Sequence, residues 1–291
     1  MTRIATALFA ASISAAATAQ DPAAPAATAP GPGNVVWAST LDEALHRAEQ
    51  ENKLVYVEFE KTTCGHCRRM DNLLYPALDF EQLMTYMAPV KVNLEAPATM
   101  ELIKRYGIKE APAVLVTTSE GRSVFAMQGF SSAPEFYREI YRAMDDHAAL
   151  VKRLESQDIN NLPPAEALQT GAELYKRSDP TAALPRLRRA ANAKASTPAQ
   201  RENALELLAR CQLDLSQNTD AEATLQKLLS TTKDPARKER ASLLRAQVPF
   251  SDNRPEEGVR RLQQFLKDYP NSADAEGVRE MLDKLLKGPP Q

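Results

Sequence analysis

The sequence predicts an α/β sandwich around a small mixed sheet, followed by an all-α helical-repeat region. Three observations carry this. From Thr40 to His147, β-branched and aromatic runs alternate with stretches of helical periodicity. After about Asp146 the strand signals stop, and Leu, Ala, Arg, Lys, Glu and Gln dominate. In that second stretch, similar helical segments recur at spacings of 38 and 37 residues, counted between Leu187, Leu225 and Leu262. Alternating strands and helices that close on a hairpin and a helix form layers about one sheet. A helix–turn–helix period of this length marks a helical array.

Residues 1–19 read as a cleavable signal peptide. Arg3 supplies a positive charge, Ile4 to Ala17 is apolar or small, and Ala17-Thr18-Ala19 fits cleavage before Gln20. The apolar run is shorter than the ~20 residues of a membrane span. A periplasmic or secreted protein is therefore expected, with no stable membrane insertion after cleavage. Residues 20–33, rich in Ala and Pro, cannot bury a core and read as a disordered linker. The α/β unit is expected over 34–147 and the helical unit over 148–290.

Thr40 is a helix N-cap with Glu43 as its capping-box partner, and Leu41, Ala44, Leu45 and Ala48 make an apolar face up to Asn52-Lys53. Leu54 to Phe59 is a buried strand. A helix starts in the Cys64-Gly65-His66-Cys67 segment and ends or bends at Pro76. Phe80 to Met87 is a short helix, 90–94 a second strand, and Met100 to Tyr106 a helix stopped by Gly107. Residues 113–117 and 123–127 are two strands joined at the Glu120-Gly121 turn. Pro134 to His147 is a helix with proline in its first turn. Asp158 to Pro164 is a loop. The array follows, with small-residue helices around Gly171 to Tyr175, Ala204 to Cys211 and Ala241 to Gln247 preceding the three Leu-centred segments.

Apolar residues make up 43% of the 291, enough for buried cores, and the net charge is −2. That charge offers no footprint for nucleic acid. Three cysteines are too few for a disulfide-stapled scaffold.

Cys64 and Cys67 carry the chemistry. Two residues apart, they can close a disulfide. At the start of a helix, the first sulfur meets free backbone N–H groups and the positive end of the helix dipole. Both favour the thiolate, which is the nucleophile of disulfide exchange. A zinc site wants about four ligands, and no second cysteine pair or His-rich spacing supplies them. A structural disulfide, a metal half-site and a copper- or haem-delivery role are the competing readings.

Val57-Glu58-Phe59 followed by Cys64-Gly65-His66-Cys67, together with Tyr106-Gly107-Ile108-Lys109-Glu110-Ala111-Pro112-Ala113, resembles the thioredoxin superfamily and is similar to protein-disulfide-isomerase catalytic domains. The opening Trp37, Leu41, Ala44 and Glu51-Asn52-Lys53 look like exported thioredoxin-like domains, including the C-terminal domain of DsbD. The resemblance implies an α/β thioredoxin-like fold over about 110 residues, and the segment 265–272 resembles the junction between tetratricopeptide repeats. It also implies roles. Cys64 would be the exposed nucleophile and Cys67 the buried resolving thiol. Ala111-Pro112 would be a cis step facing the substrate, with Gly65 and Gly129 at the substrate groove. Glu58 would be the buried acid beneath the pair, accompanied by Lys91. Apart from the resemblance, His66 between the two cysteines can donate to the Cys64 thiolate and favour the reduced form; a solvated loop residue is the competing reading. Thr63 replaces the usual Trp, and Ala111 the usual Ile, Val or Thr.

The expected activity is thiol–disulfide oxidoreduction on protein thiols and disulfides, with a separate redox partner to reset the pair and no cofactor. The alternative is a non-catalytic redox-sensing adaptor whose repeats bind a partner. Cys211 reads as a small buried hydrophobe, His46 and His147 as surface residues, Met84, Met87, Met127 and Met144 as core, and Arg186-Leu187-Arg188-Arg189 as a solvated face.

Overall fold

A computed structural model describes residues 35–130 and 132–287. The expected signal peptide (1–19) and linker (20–33) lie outside the described residues, as do Asn34 and the last residues of the expected helical unit. The order is α1 (Leu41–Glu51), β1 (Leu54–Glu60), α2 (Gly65–Leu73), α3 (Leu78–Met84), β2 (Met87–Asn93), α4 (Met100–Tyr106), β3 (Ala113–Thr117), β4 (Ser123–Gln128) and α5 (Ala133–Ser156). Seven more helices follow: α6 (Pro164–Lys176), α7 (Pro180–Asn192), α8 (Pro198–Asp214), α9 (Asn218–Thr231), α10 (Pro235–Ser251), α11 (Pro255–Asp268) and α12 (Ala275–Lys287). This is the expected α/β sheet unit followed by a helical array.

The sheet order is β2-β1-β3-β4, with β2 parallel to β1 and the other neighbours antiparallel. Alternation along β1 sends Val55, Val57 and Phe59 to a core with Ala44, Ala48 and Ile108, on the side of α1 and α4. Tyr56 points the other way, into a core with Met70, Leu74, Phe80, Phe136 and Ile140. Glu58 shares the Tyr56 face and so lies beneath α2.

Local signals account for several boundaries. Thr40 Oγ1 accepts from Glu43 N at 3.1 Å, while the Glu43 carboxylate reaches back to Ser39 N at 2.7 Å rather than to the N-cap itself. Asn52 closes α1 in the left-handed conformation at φ 51°, and Gly107 closes α4 at φ 65°.

Three expectations shift. The helix expected over 80–87 ends at Met84, because Met87 and Ala88 already pair with Leu54 and Val55 in β2. Pro89 is tolerated there because β2 is an edge strand, and its carbonyl accepts from Ala38 N at 2.8 Å. The helix expected to stop at His147 runs on to Ser156. Its first half gives Phe136 and Ile140 to the sheet, and its second half gives Leu150 and Leu154 to the core of the array. His147 is consequently half-buried, with Nδ1 enclosed, whereas His46 is exposed. Arg186, expected on a solvated face, is buried and donates to Gln157 Oε1 at 3.1 Å and the Ala182 carbonyl at 3.0 Å.

In the array, Leu187, Leu225 and Leu262 are fully enclosed on the second helix of successive pairs. Gly171 on α6 lets Leu187 approach closely: a Cβ there would lie 2.8 Å from the leucine side chain. The array meets the sheet unit at the β3–β4 turn. Ser123 N donates to Arg177 O at 2.7 Å, Arg122 Nε to Asp179 Oδ2 at 2.8 Å, and Arg105 Nη2 to Ser178 O at 3.0 Å. Thr117 pairs with Val55 and Ala113 with Phe59. The turn therefore sits at the far end of the sheet from Cys64, about 15 Å along the strand at ~3.4 Å per residue.

Candidate redox site

β1 ends at Glu60, three exposed residues follow, and Cys64 caps α2. Its backbone is extended (φ −125°), and its Sγ accepts from Cys67 N at 3.1 Å. Cys64 and Cys67 form a disulfide with a Cα–Cα distance of 5.2 Å. Cys64 is 9% exposed and Cys67 4%, so the first cysteine is only slightly the more accessible. Cys67, Met70 and Leu74 face inward, whereas Gly65, His66, Arg68 and Arg69 face solvent. Among the described residues nothing lies within 4 Å of a Cβ built on Gly65, so the space beside that residue is open. The N–H that now meets the Cys64 sulfur is available to its thiolate, at the positive end of a helix dipole.

The Ala111–Pro112 peptide is cis. Pro112 O accepts from Gly129 N at 2.8 Å, and Gly129 sits at φ +79°. Among the described residues no atom lies within 4 Å of a Cβ there, and the left-handed backbone angle favours glycine. Because Ala113 opposes Phe59, this step lies at the same end of the sheet as the disulfide.

Glu58 is fully buried. Its Oε2 accepts from the Tyr75 hydroxyl and lies 3.1 Å from Lys91 Nζ, while Oε1 is enclosed with no hydrogen-bond partner among the described residues. Burial pushes the Glu58 carboxyl up to about 7, against the pull of Lys91 and the Tyr75 hydroxyl. Lys91 also meets Asp71 Oδ1 at 2.6 Å and Glu60 Oε2 at 3.6 Å. Its ammonium lies 5.0 Å from the Tyr75 ring and 5.4 Å from the Trp37 ring. Burial pulls the lysine down, but the three carboxylates more than offset it and hold it above the ordinary value. The result is a buried carboxyl that can hold a proton near neutral pH, beneath the helix that carries Cys67.

Residues 41–143 match the family model of a thioredoxin-like domain. Residues 41–143 form a thioredoxin-like domain. Its similar solved structures include a putative disulphide-isomerase from Bacteroides thetaiotaomicron, 29% identical, covering 40% of this chain and 97% of that one at a TM-score of 0.36. The DsbD C-terminal domain of Neisseria meningitidis in its oxidised form is 25% identical, covering 35% and 92% at a TM-score of 0.31. A DsbH oxidoreductase is 20% identical, covering 41% and 91% at a TM-score of 0.35. Among curated proteins, no match was found.

The fold adds Tyr75 and Asp71 to the residues singled out in the sequence, and it gives Trp37, singled out there only for its resemblance, a place beside Lys91 and Tyr75. Asp71 was legible in principle, one helical turn after Cys67 on the same strip of α2. Tyr75 and Trp37 meet Lys91 only through the tertiary fold. Cys211, in the array, is fully buried, and burial pushes its thiol up to about 12.

Proposed function

We propose that the chain is an exported thiol–disulfide oxidoreductase acting on protein substrates. The observation that carries this is the Cys64–Cys67 disulfide at the N-terminus of α2, above a buried Glu58 and at the same sheet end as the cis Ala111–Pro112 step. In the reduced pair, the Cys64 thiolate attacks a substrate disulfide. One sulfur–sulfur bond forms, the substrate bond breaks, and the released substrate sulfur takes the electron pair and a proton. Cys67 then gives its proton to Glu58, and its thiolate attacks Cys64. The Cys64–Cys67 bond forms and the second substrate sulfur leaves reduced. Run backwards, the same steps insert a disulfide, and a separate redox partner resets the pair.

Lys91 anchors Glu58. His66, on the exposed first turn of α2, stabilises the Cys64 thiolate when protonated and makes the pair more oxidising. Gly65, Ala111, Pro112 and Gly129 form the rest for the substrate backbone. The array joins the domain at the opposite end of the sheet, so the contacts at that joint leave the motif free. We read the array as a docking surface for a partner or substrate. Export follows from the reading of residues 1–19, and places the pair where disulfides persist.

Insulin reduction and refolding of scrambled ribonuclease test the activity. The expected result is turnover that is lost in Cys64→Ala. No turnover in either assay by a folded chain would leave the redox-sensing adaptor.

A further inference from the structure

The Glu58 carboxyl is held asymmetrically. Tyr75 and Lys91 both address Oε2, and Oε1 is buried without a hydrogen-bond partner among the described residues. A carboxyl group whose one oxygen accepts from a hydroxyl and faces an ammonium carries its proton on the other. The tyrosine that makes this arrangement is itself fixed. Its ring centroid lies 5.2 Å from that of Trp37 and 4.6 Å from that of Phe80, and Lys91 sits over its face. Its side chain is 8% exposed. Burial, then the charges of Tyr56 and Glu58, push its phenol well above the ordinary tyrosine value, so it remains a donor.

We propose that Tyr75 is a positioning residue for the resolving step: it pins Glu58 by Oε2 and so leaves Oε1 as the oxygen that takes the Cys67 proton. This rests on the oxidoreductase reading above. In the step, the Cys67 S–H bond breaks, its proton passes to Oε1, and its electron pair stays on sulfur to attack Cys64. The groups that face Glu58 are Tyr56 from its own strand, Lys91 from β2, Asp71 from α2 and Tyr75 beyond it. Among these, Tyr75 and Lys91 stabilise the carboxylate. Lys91 keeps Asp71 and Glu60 when Tyr75 is altered, so Tyr75→Phe removes one donor and leaves the charge pattern and the ring in place.

The test is the rate at which Cys67 resolves a preformed Cys64 mixed disulfide with a peptide, measured from pH 5 to 9 in the full chain. A hydrogen bond of ordinary strength to the ionised form corresponds to about one pH unit. Tyr75→Phe is expected to move the midpoint of the Glu58 limb up by about one unit and to slow resolution about tenfold below that midpoint. At high pH the rate should recover, and alkylation of reduced Cys64 should be unchanged. A uniform slowing with an unmoved midpoint would overturn the proposal and make Tyr75 merely structural. Glu58→Gln separates the two readings: a limb that survives in Glu58→Gln refutes Glu58 as proton acceptor, whatever Tyr75→Phe does. An infrared titration of the wild-type disulfide form gives a second readout, with Glu58→Gln identifying the band. The protonated Glu58 carbonyl is expected at the low frequency of a strongly hydrogen-bonded group. The frequency of a free carbonyl would contradict the pinning of Oε2.

Discussion

Replacing Glu58 by Gln in the disulfide form should remove a pH-dependent penalty from the fold. The carboxyl is fully buried and titrates at about 7 instead of 4.5. Because the folded value is raised, the native state holds its proton where the unfolded chain has released it. The contribution of the group is fully present below pH 4.5 and is lost as pH rises through 7. A displacement of this size corresponds to about 3 kcal/mol between those limits, at ~1.4 kcal/mol per unit. The amide has no proton to lose, so the variant lacks that slope. Urea unfolding from pH 4.5 to 8 at fixed ionic strength, with the disulfide intact, measures the difference. Trp37, the one tryptophan, lies against Tyr75 and reports the domain that holds the site. The stability of Glu58→Gln relative to wild type should rise by about 3 kcal/mol across the range, as other titrating groups cancel in the comparison. Parallel curves would refute the burial argument for Glu58.

Three further outcomes follow from the packing. Gly171→Ala should destabilise the array by about 1–3 kcal/mol, since its new methyl would meet Leu187 at 2.8 Å; thermal unfolding followed by circular dichroism measures it. A double-mutant cycle of Arg122→Ala and Asp179→Asn should return a coupling of about 1 kcal/mol in urea unfolding, because this largely buried pair ties the thioredoxin-like domain to the array. Native Cys211 should resist alkylation until the chain unfolds, and Cys211→Ala should keep its insulin-reduction rate; fast labelling at neutral pH would contradict its burial.

Much of this fold is legible where one residue decides the local backbone. Asn52 and Gly107 end helices in left-handed conformations, and the turn at Glu120-Gly121 joins two strands whose residues alternate about a buried sheet. The start of β2 is hidden because Met87-Ala88-Pro89 has no β-branched residue and contains a proline, which only an edge position accommodates. The full length of α5 is hidden for another reason. Its apolar strip changes partner between Met144 and Leu150, from sheet to array, without any break in helical periodicity. The site divides in the same way. Glu58, Cys64 and Cys67 stand in one short local pattern, and Pro112 in a second one, residues 106–113. Tyr75, Trp37 and Asp71 become part of the site through Lys91, and contacts of that kind carry no sequence period.

The central claim is that Cys64 is the nucleophile of a disulfide exchange that Cys67 resolves. Incubating Cys67→Ala and Cys64→Ala chains with reducible protein substrates, then comparing non-reducing and reducing gels, tests it most directly. Cys67→Ala is predicted to accumulate mixed disulfides through Cys64, while Cys64→Ala accumulates none. Accumulation in Cys64→Ala alone would contradict the account.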